Sequence, residues 1–167
     1  MSISEDLSRI TLQEQTLLLP RFDAEVAWRI GIRLRELAIA RNLGLVIDVR
    51  RFGEPLFYAA LPGTSPNNAE WARRKGNIVA HFSRSSYGVH LDLLQQKTTL
   101  TEKHALAAAD YAAAGGSFPI CVENAGVIGS VTVSGLPQRA DHELVVEILC
   151  LETARDYASL KLQPQDW

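Results

Sequence analysis

The sequence predicts an α+β domain in which a mostly antiparallel sheet is flanked by helices. Two pairs of short apolar strands are each joined by a tight turn. One is "LVIDVRRFGEPLFYAAL", turning at Gly53; the other is "FPICV" followed by "ENAG" and "VIGSVTVS". Longer segments with apolar residues at helical spacing precede, separate and follow these pairs. Strands joined by hairpins run antiparallel, whereas a parallel Rossmann sheet needs a helix between successive strands.

The elements follow in order. At 167 residues the chain suits one domain with a terminal arm. We place an N-terminal helical arm over 1–21, the main domain over 22–162 and a tail over 163–167. Residues 4–16 read as a short helix closed by "LLLP". Asp23 then caps a helix with Ala27, Ile30, Leu34, Leu37 and Arg41 at helical spacing, stopped by Asn42 and Gly44. The first hairpin has one wholly apolar face if Val49 lies opposite Phe57, Ile47 opposite Ala59 and Leu45 opposite Leu61. That register sets Asp48 against Tyr58 and Arg50 against Leu56.

"PGTSPNN" is a loop, and residues 69–96 read as one helix with Trp71, Ile78, Phe82, Val89 and Leu93 as its buried stripe. Gly76 and Gly88 weaken it. Residues 97–116 read as mixed helix and loop. In the last strand Val127, Val131 and Val133 point one way, with Gly129 making room. Ile128, Ser130, Thr132 and Ser134 point the other way. Residues 138–162 form the final helix, with Leu144, Ile148, Leu151 and Ala158 inward. Val145, Val146, Leu149 and Cys150 exceed what covering one sheet face requires, so a homo-oligomer is expected.

Composition narrows the function. Seventeen Lys and Arg against nineteen Asp and Glu leave a net charge of -2, which predicts neither a nucleic-acid partner nor a membrane surface. No apolar run approaches the roughly 20 residues of a membrane span. The first residues lack a signal-peptide pattern, so a cytoplasmic protein is expected. Cys121 and Cys150 form no CxxC, and His81, His90, His104 and His142 show no HxxxH spacing, so no metal site is predicted. GxGxxG, GxxxxGK[ST] and GxSxG are absent, and no complete catalytic constellation is visible.

Three features suggest binding chemistry. Arg73, Arg74, Lys75 and Arg84 form a basic group able to clamp an anion. Ser130, Thr132 and Ser134 put hydroxyls on one side of the last strand, either as a pocket floor or at a subunit interface. The strand then breaks at Ser134-Gly135-Leu136-Pro137, where Gly135 permits an unusual backbone angle and Pro137 suits a first helical turn. Asp141 and Glu143 follow near the positive end of the helix dipole, with His142 between them.

"GGSFPI" at 115–120, "GVIGSVTVSG" at 126–135 and Asp141 six residues later resemble the signature of the HbpS/GlcG-like haem-degrading domain family. "PGTSPNNAEWARRKGNIVAHF" is similar to that family's loop and lysine-bearing helix, with Lys75 at the lysine position. The chain looks like a small branch of the family, over about residues 22–160. The resemblance implies a profilin-like α/β/α sandwich, assembled as a homo-oligomer. It also implies a small-molecule ligand, with haem or another anionic tetrapyrrole-like compound as the candidate. Ser130, Thr132 and His142 would line the pocket, and Lys75 or Arg84 would meet an anionic group. "LPQRADHE" is longer than in many members, and no residue stands out as an axial iron ligand. Two rivals remain: a homo-oligomeric adaptor without catalysis, and an enzyme using His142 and Asp141 as an acid/base pair.

Overall fold

The computed structural model describes residues 2–164. Its first helix, α1 (Ile3–Thr16), starts at a reciprocal cap: Glu5 N–H donates to the Ser2 hydroxyl, and Ser2 N–H donates to the Glu5 carboxylate at 2.7 Å. The chain then extends as β1 (Leu18–Leu19) before α2 (Ala24–Ala40). Asp23 caps α2 by accepting the Val26 N–H at 2.9 Å, and Ala27, Ile30 and Leu34 are fully buried, as their spacing predicts. The hairpin is β2 (Val46–Arg51) and β3 (Glu54–Ala60). Its register holds for Ile47 with Ala59, Asp48 with Tyr58 and Val49 with Phe57. A bulge between Val49 and Arg50 then pairs Arg50 with Pro55 rather than Leu56.

The stretch expected to be one helix is two, α3 (Pro66–Phe82) and α4 (Ser86–Gln96), followed by α5 (Leu100–His104). Ser83 takes a left-handed conformation, and the Ser85 hydroxyl accepts the Gly88 N–H to start α4. The break shifts the helical phase. Trp71 is 37% exposed and Phe82 only half-buried, while Ala72, Lys75, Ile78 and Val79 face inward. The last strands are β4 (Ser117–Val122) and β5 (Gly126–Ser134). The final helix also divides, into α6 (Gln138–Glu152) and α7 (Tyr157–Leu160), with Ala154 left-handed between them. Leu151, expected inward, is 62% exposed.

The sheet order is β1-β4-β5-β2-β3. Its pairings are antiparallel except that of β1 with β4, which is parallel and sets Leu18 beside Cys121. The described residues are 51% helix and 18% strand. The fold is therefore α+β with a mixed five-stranded sheet flanked by helices. It is helix-dominated, so the profilin-like, sheet-dominated reading does not hold, although three of the four strand pairings are antiparallel as expected. Two features account for this. "LLLP" does end the first helix, with Leu17 as its C-cap, but Leu18 and Leu19 also supply a parallel edge strand, and the middle of the chain folds as three helices.

Strand alternation gives the sheet two unlike faces. Leu45, Ile47, Val49, Phe118, Ile120, Val131 and Val133 point toward α2 and α6 and form one apolar core with them. Val145, Val146, Leu149 and Cys150 belong to this core, each at most 1% exposed. The surplus apolar surface on which self-association was expected is thus satisfied within the chain. The opposite face, under α3, carries Asp48, Arg50, Ser130 and Thr132. A bulge in β5, where Ile120 pairs with Gly129 but Cys121 with Val127, brings Val127 to the α3 side, against expectation. Ile128, at the bulge, borders both the narrow cleft and the apolar core.

Candidate functional site

Two clefts open beside α3, where the sheet face below it is polar and Ala72 and Gly76 leave room between its larger inward residues. The narrower, of about 300 Å³, lies between α3 and strands β2 and β5. Asp48 and Arg50 come from β2, opposite Thr132 and Ser130 of β5. The Arg50 Nε donates to both Asp48 oxygens, at 3.0 and 2.9 Å, and its Nη1 donates to the Gly53 carbonyl. Asp48 is 4% exposed, and burial pushes its carboxyl up despite the Arg50 charge. The Thr132 hydroxyl pairs with that of Ser117 at 2.8 Å. From α3, Ala72, Gly76 and Ala80 face this floor.

The broader cleft, of about 640 Å³, lies between the first half of α3, residues 108–114 and the junction of β5 with α6. Lys75 and Asp141 border its inner end. The Lys75 ammonium donates to Asp141 Oδ2 at 2.8 Å and to the Val133 carbonyl at 3.3 Å, and both side chains are buried. Asp141 Oδ1 accepts the Leu136 N–H at 3.0 Å. Burial raises the Asp141 carboxyl, opposed by the Lys75 charge. The strand break is therefore tied to α3 and α6 by one buried ion pair. Glycines lie on both sides of this junction, and Gly116 makes room for the ion pair itself. A Cβ on Gly116, whose φ is 132°, would stand 2.8 Å from the Lys75 ammonium; one on Gly135 would strike the Gly44 carbonyl. Gly135, at φ 159°, thus serves both the unusual backbone angle expected of it and the close approach of the Gly44 backbone.

Aromatic and cationic groups edge this cleft. The Arg74 guanidinium lies 4.3 Å from the centroid of the Trp71 ring, and Tyr111 stands on the other wall with Ala108 and Ala112–Ala114. His90 Nδ1 lies 3.0 Å from the Ala113 carbonyl and donates to it, while Nε2 accepts from Gln138 at 3.1 Å. Burial lowers its basicity.

The residues singled out in the sequence are thus dispersed. Ser130 and Thr132 line the narrow cleft and Lys75 the broad one. Arg84 borders neither and pairs with Asp92 and Glu14. His142 borders neither and is 1% exposed, its Nε2 2.8 Å from Gln13 Oε1 and its ring 5.3 Å from Tyr87 and 5.8 Å from Phe118. Its pKa falls to about 3, mainly through burial and secondarily through Arg139. Asp141 and His142 hold different partners and share no proton. Sequence reading passed over Asp48, Arg50, Trp71 and Tyr111 as site residues. The signal for Asp48 and Arg50 was the hairpin register, which had already set them off the apolar face.

These features define a helix-rich α+β protein with a mixed sheet, one face of which is polar and cleft. The family model for "Haem degrading protein HbpS-like" matches residues 22–149, and the chain belongs to that family. A UPF0303 protein of Burkholderia mallei is 59% identical over 97% of this chain and 98% of its own. The Ybr137w protein structure superposes with a TM-score of 0.82 at 25% identity, covering 89% of this chain and 88% of that one. A PduOC–haem complex superposes at 0.63 with 15% identity, covering 74% and 90%, a likeness of fold.

Haem held through its iron needs an axial imidazole, thiolate, thioether or phenolate. At the broad cleft both nitrogens of His90 are engaged, and neither cysteine borders either cleft. Among the described residues no group of three His, Cys, Asp or Glu is placed to hold a metal ion. The residues present do not fit a haem ligated by imidazole or thiolate.

Proposed function

We propose that this protein binds a planar, anionic small molecule in the broad cleft, by stacking and charge rather than through an iron held by imidazole or thiolate. One observation carries the reading: Trp71, Tyr111, Arg74 and the Lys75 ammonium surround a single opening of about 640 Å³. Flat aromatic walls suit a conjugated ring, and the two cations outnumber the one carboxylate, Asp141, so the cleft favours an anion. The fold likeness to a haem complex supports a tetrapyrrole-like shape.

Titrations with haemin and with metal-free protoporphyrin IX test this, read by quenching of tryptophan fluorescence. Both ligands are expected to saturate with similar micromolar affinity, roughly 8 kcal/mol. Trp71→Ala and Arg74→Ala are each expected to weaken both ligands at least tenfold. Non-saturating uptake, equal in wild type and variants, overturns the proposal in favour of the adaptor reading. Binding confined to haemin overturns the iron-free mode.

A further inference from the structure

The broad cleft has a neighbour. A smaller crevice of about 320 Å³ opens beside α4 and α5, and His90, Ala108, Tyr111 and Ala113 border both cavities. Residues 108–113 thus divide one longer groove rather than forming its outer wall. Most of this partition is fixed to α3. Arg73 Nη2 donates to the Ala109 carbonyl at 2.9 Å, Asn77 Nδ2 to the Asp110 carbonyl at 2.8 Å, and the Ala112 N–H to the Arg74 carbonyl at 3.2 Å. Its far end, residues 113–115, is held by His90 and Gln138.

The hydrogen bonds at that end fix the protonation state of the imidazole. The Ala113 carbonyl only accepts, so His90 Nδ1 carries a proton. The Gly115 N–H donates to Gln138 Oε1 at 3.2 Å, which turns the Gln138 amide NH2 toward His90 Nε2, 3.1 Å away. That nitrogen is therefore the bare acceptor of a neutral ring. A second proton would set N–H against N–H. Flipping the Gln138 amide only moves the conflict to Gly115, whose backbone packs so closely that a Cβ would stand 2.1 Å from the Gln138 carbonyl. The surrounding charges oppose a cation as well. Arg74 and Lys75 of α3 line the same cleft, while Asp141 of α6 is committed to Lys75, Arg139 of α6 to Asp6, and Asp110 of the partition to Arg73. Tyr87 of α4 stacks 6.0 Å away, and Tyr111 of the partition borders both cavities. Burial lowers the basicity of His90 in the same direction.

We propose that His90 and Gln138 form a proton-sensitive latch on this partition, closed while the imidazole is neutral and released when it takes a proton, so that acidification joins the crevice to the broad cleft. The closed state holds fewer protons than the open one. The latch is therefore fully formed above about pH 6.5 and weakens as the pH falls. Its part in ligand access rests on the planar-anion reading; the latch itself rests on these hydrogen bonds and is tested on the ligand-free chain.

Nitrogen-15 NMR of the imidazoles in the full chain decides the matter, with His90→Gln identifying the His90 signals by their loss. At about pH 7.5, His90 is expected to carry its proton on Nδ1 and none on Nε2, and to titrate below the ordinary value of about 6.5. Gln138→Glu supplies a carboxylate that accepts from both the Gly115 N–H and a protonated Nε2, so it should raise that midpoint by about one pH unit or more. Amide exchange at Gly115, corrected for its intrinsic pH dependence, should lose about tenfold of its protection from about pH 7.5 to about pH 5 in wild type. His90→Gln should show no such loss. A proton on Nε2 at neutral pH overturns the latch, as does a midpoint left unmoved or lowered by Gln138→Glu. So does a change in Gly115 protection that is equal in wild type and His90→Gln. Porphyrin binding is measured separately, so failure of the planar-anion reading leaves each of these outcomes readable.

Discussion

The two faces of the sheet are made by alternate residues of the same strands and are completed in opposite ways. Toward α2 and α6, β2, β4 and β5 present Ile47, Val49, Phe118, Ile120, Val131 and Val133, and the helices answer with Ile, Leu and Val. Toward α3, the intervening residues include Asp48, Arg50, Ser117, Ser130 and Thr132, and over the cleft α3 answers with Ala72, Gly76, Val79 and Ala80. The first face is packed for stability; the second gives up contact area and keeps clefts. A domain this size can sustain that division because one well-filled layer supplies most of the hydrophobic stabilisation. What the difference teaches is where to look for chemistry: on the face where alternation places polar groups inside.

The largest expected effect tests the apolar face through its one buried imidazole. With His142 near 3 when folded and near 6.5 when unfolded, the folded state binds fewer protons between those values. Its contribution is therefore fully present above about pH 6.5 and lost as pH falls toward 3. A shift of that size corresponds to up to about 5 kcal/mol, at about 1.4 kcal/mol per unit. Asp48, Asp141 and Glu143 are raised carboxyls and act in the opposite direction, becoming less costly as they protonate. Comparison with His142→Gln, which keeps a donor for Gln13 and does not titrate, isolates the histidine. Denaturant midpoints should diverge below pH 6.5, with wild type losing more. Parallel profiles would mean the imidazole is not sealed.

Next comes truncation of the same face. Phe118, 1% exposed, packs within the apolar core, and Phe118→Ala is expected to cost about 3–5 kcal/mol. Ser130→Ala, on a neighbouring strand but facing the narrow cleft, is expected to stay within about 0.5 kcal/mol. Chemical denaturation measures both. Similar losses from the two would erase the distinction between the faces.

Much of this division was legible in the sequence. The hairpin register and the opposed valines and hydroxyls of β5 follow from period-two alternation, which is local. The α2 stripe follows from helical periodicity, also local. The bulges and β1 were not legible, because each is settled by distant partners, and neither Ser83 nor Ala154 is a residue type that marks a left-handed helix end. Leu18 and Leu19 become a strand only when β4 arrives beside them. The site was legible in the same measure. Ser130 and Thr132 were found by alternation, but Asp48 becomes their neighbour only through the pairing of β2 with β5. Asp141 read as a helix-dipole residue because Lys75, its partner, lies on a helix from the other side of the sheet.

That ion pair gives the third prediction, since it joins the layers on the two faces. Lys75→Ala leaves Asp141 buried with only backbone donors and is expected to cost about 3 kcal/mol or more. Lys75→Met combined with Asp141→Asn removes both charges while keeping an acceptor for the Leu136 N–H, and should recover most of the loss. A double variant as unstable as the single one would show that stability there comes from packing rather than from charge pairing.

The smallest expected effect is the most direct test of the polar face. Gly76→Ala adds one methyl where the nearest atom, the Thr132 hydroxyl, is 3.6 Å away. Nothing in the fold resists it, and the helix gains from the lower entropy of alanine in the unfolded chain. The variant should be more stable than wild type by about 0.5–1 kcal/mol, read as a higher denaturant midpoint at unchanged slope. A core glycine behaves otherwise, because the added methyl must displace neighbours. Gly116→Ala, which places a Cβ 2.8 Å from the Lys75 ammonium at a positive φ, should be destabilised in the same assay. If Gly76→Ala proves destabilising as well, α3 is held against the sheet more tightly than its cleft allows, and the open face would be a packed one.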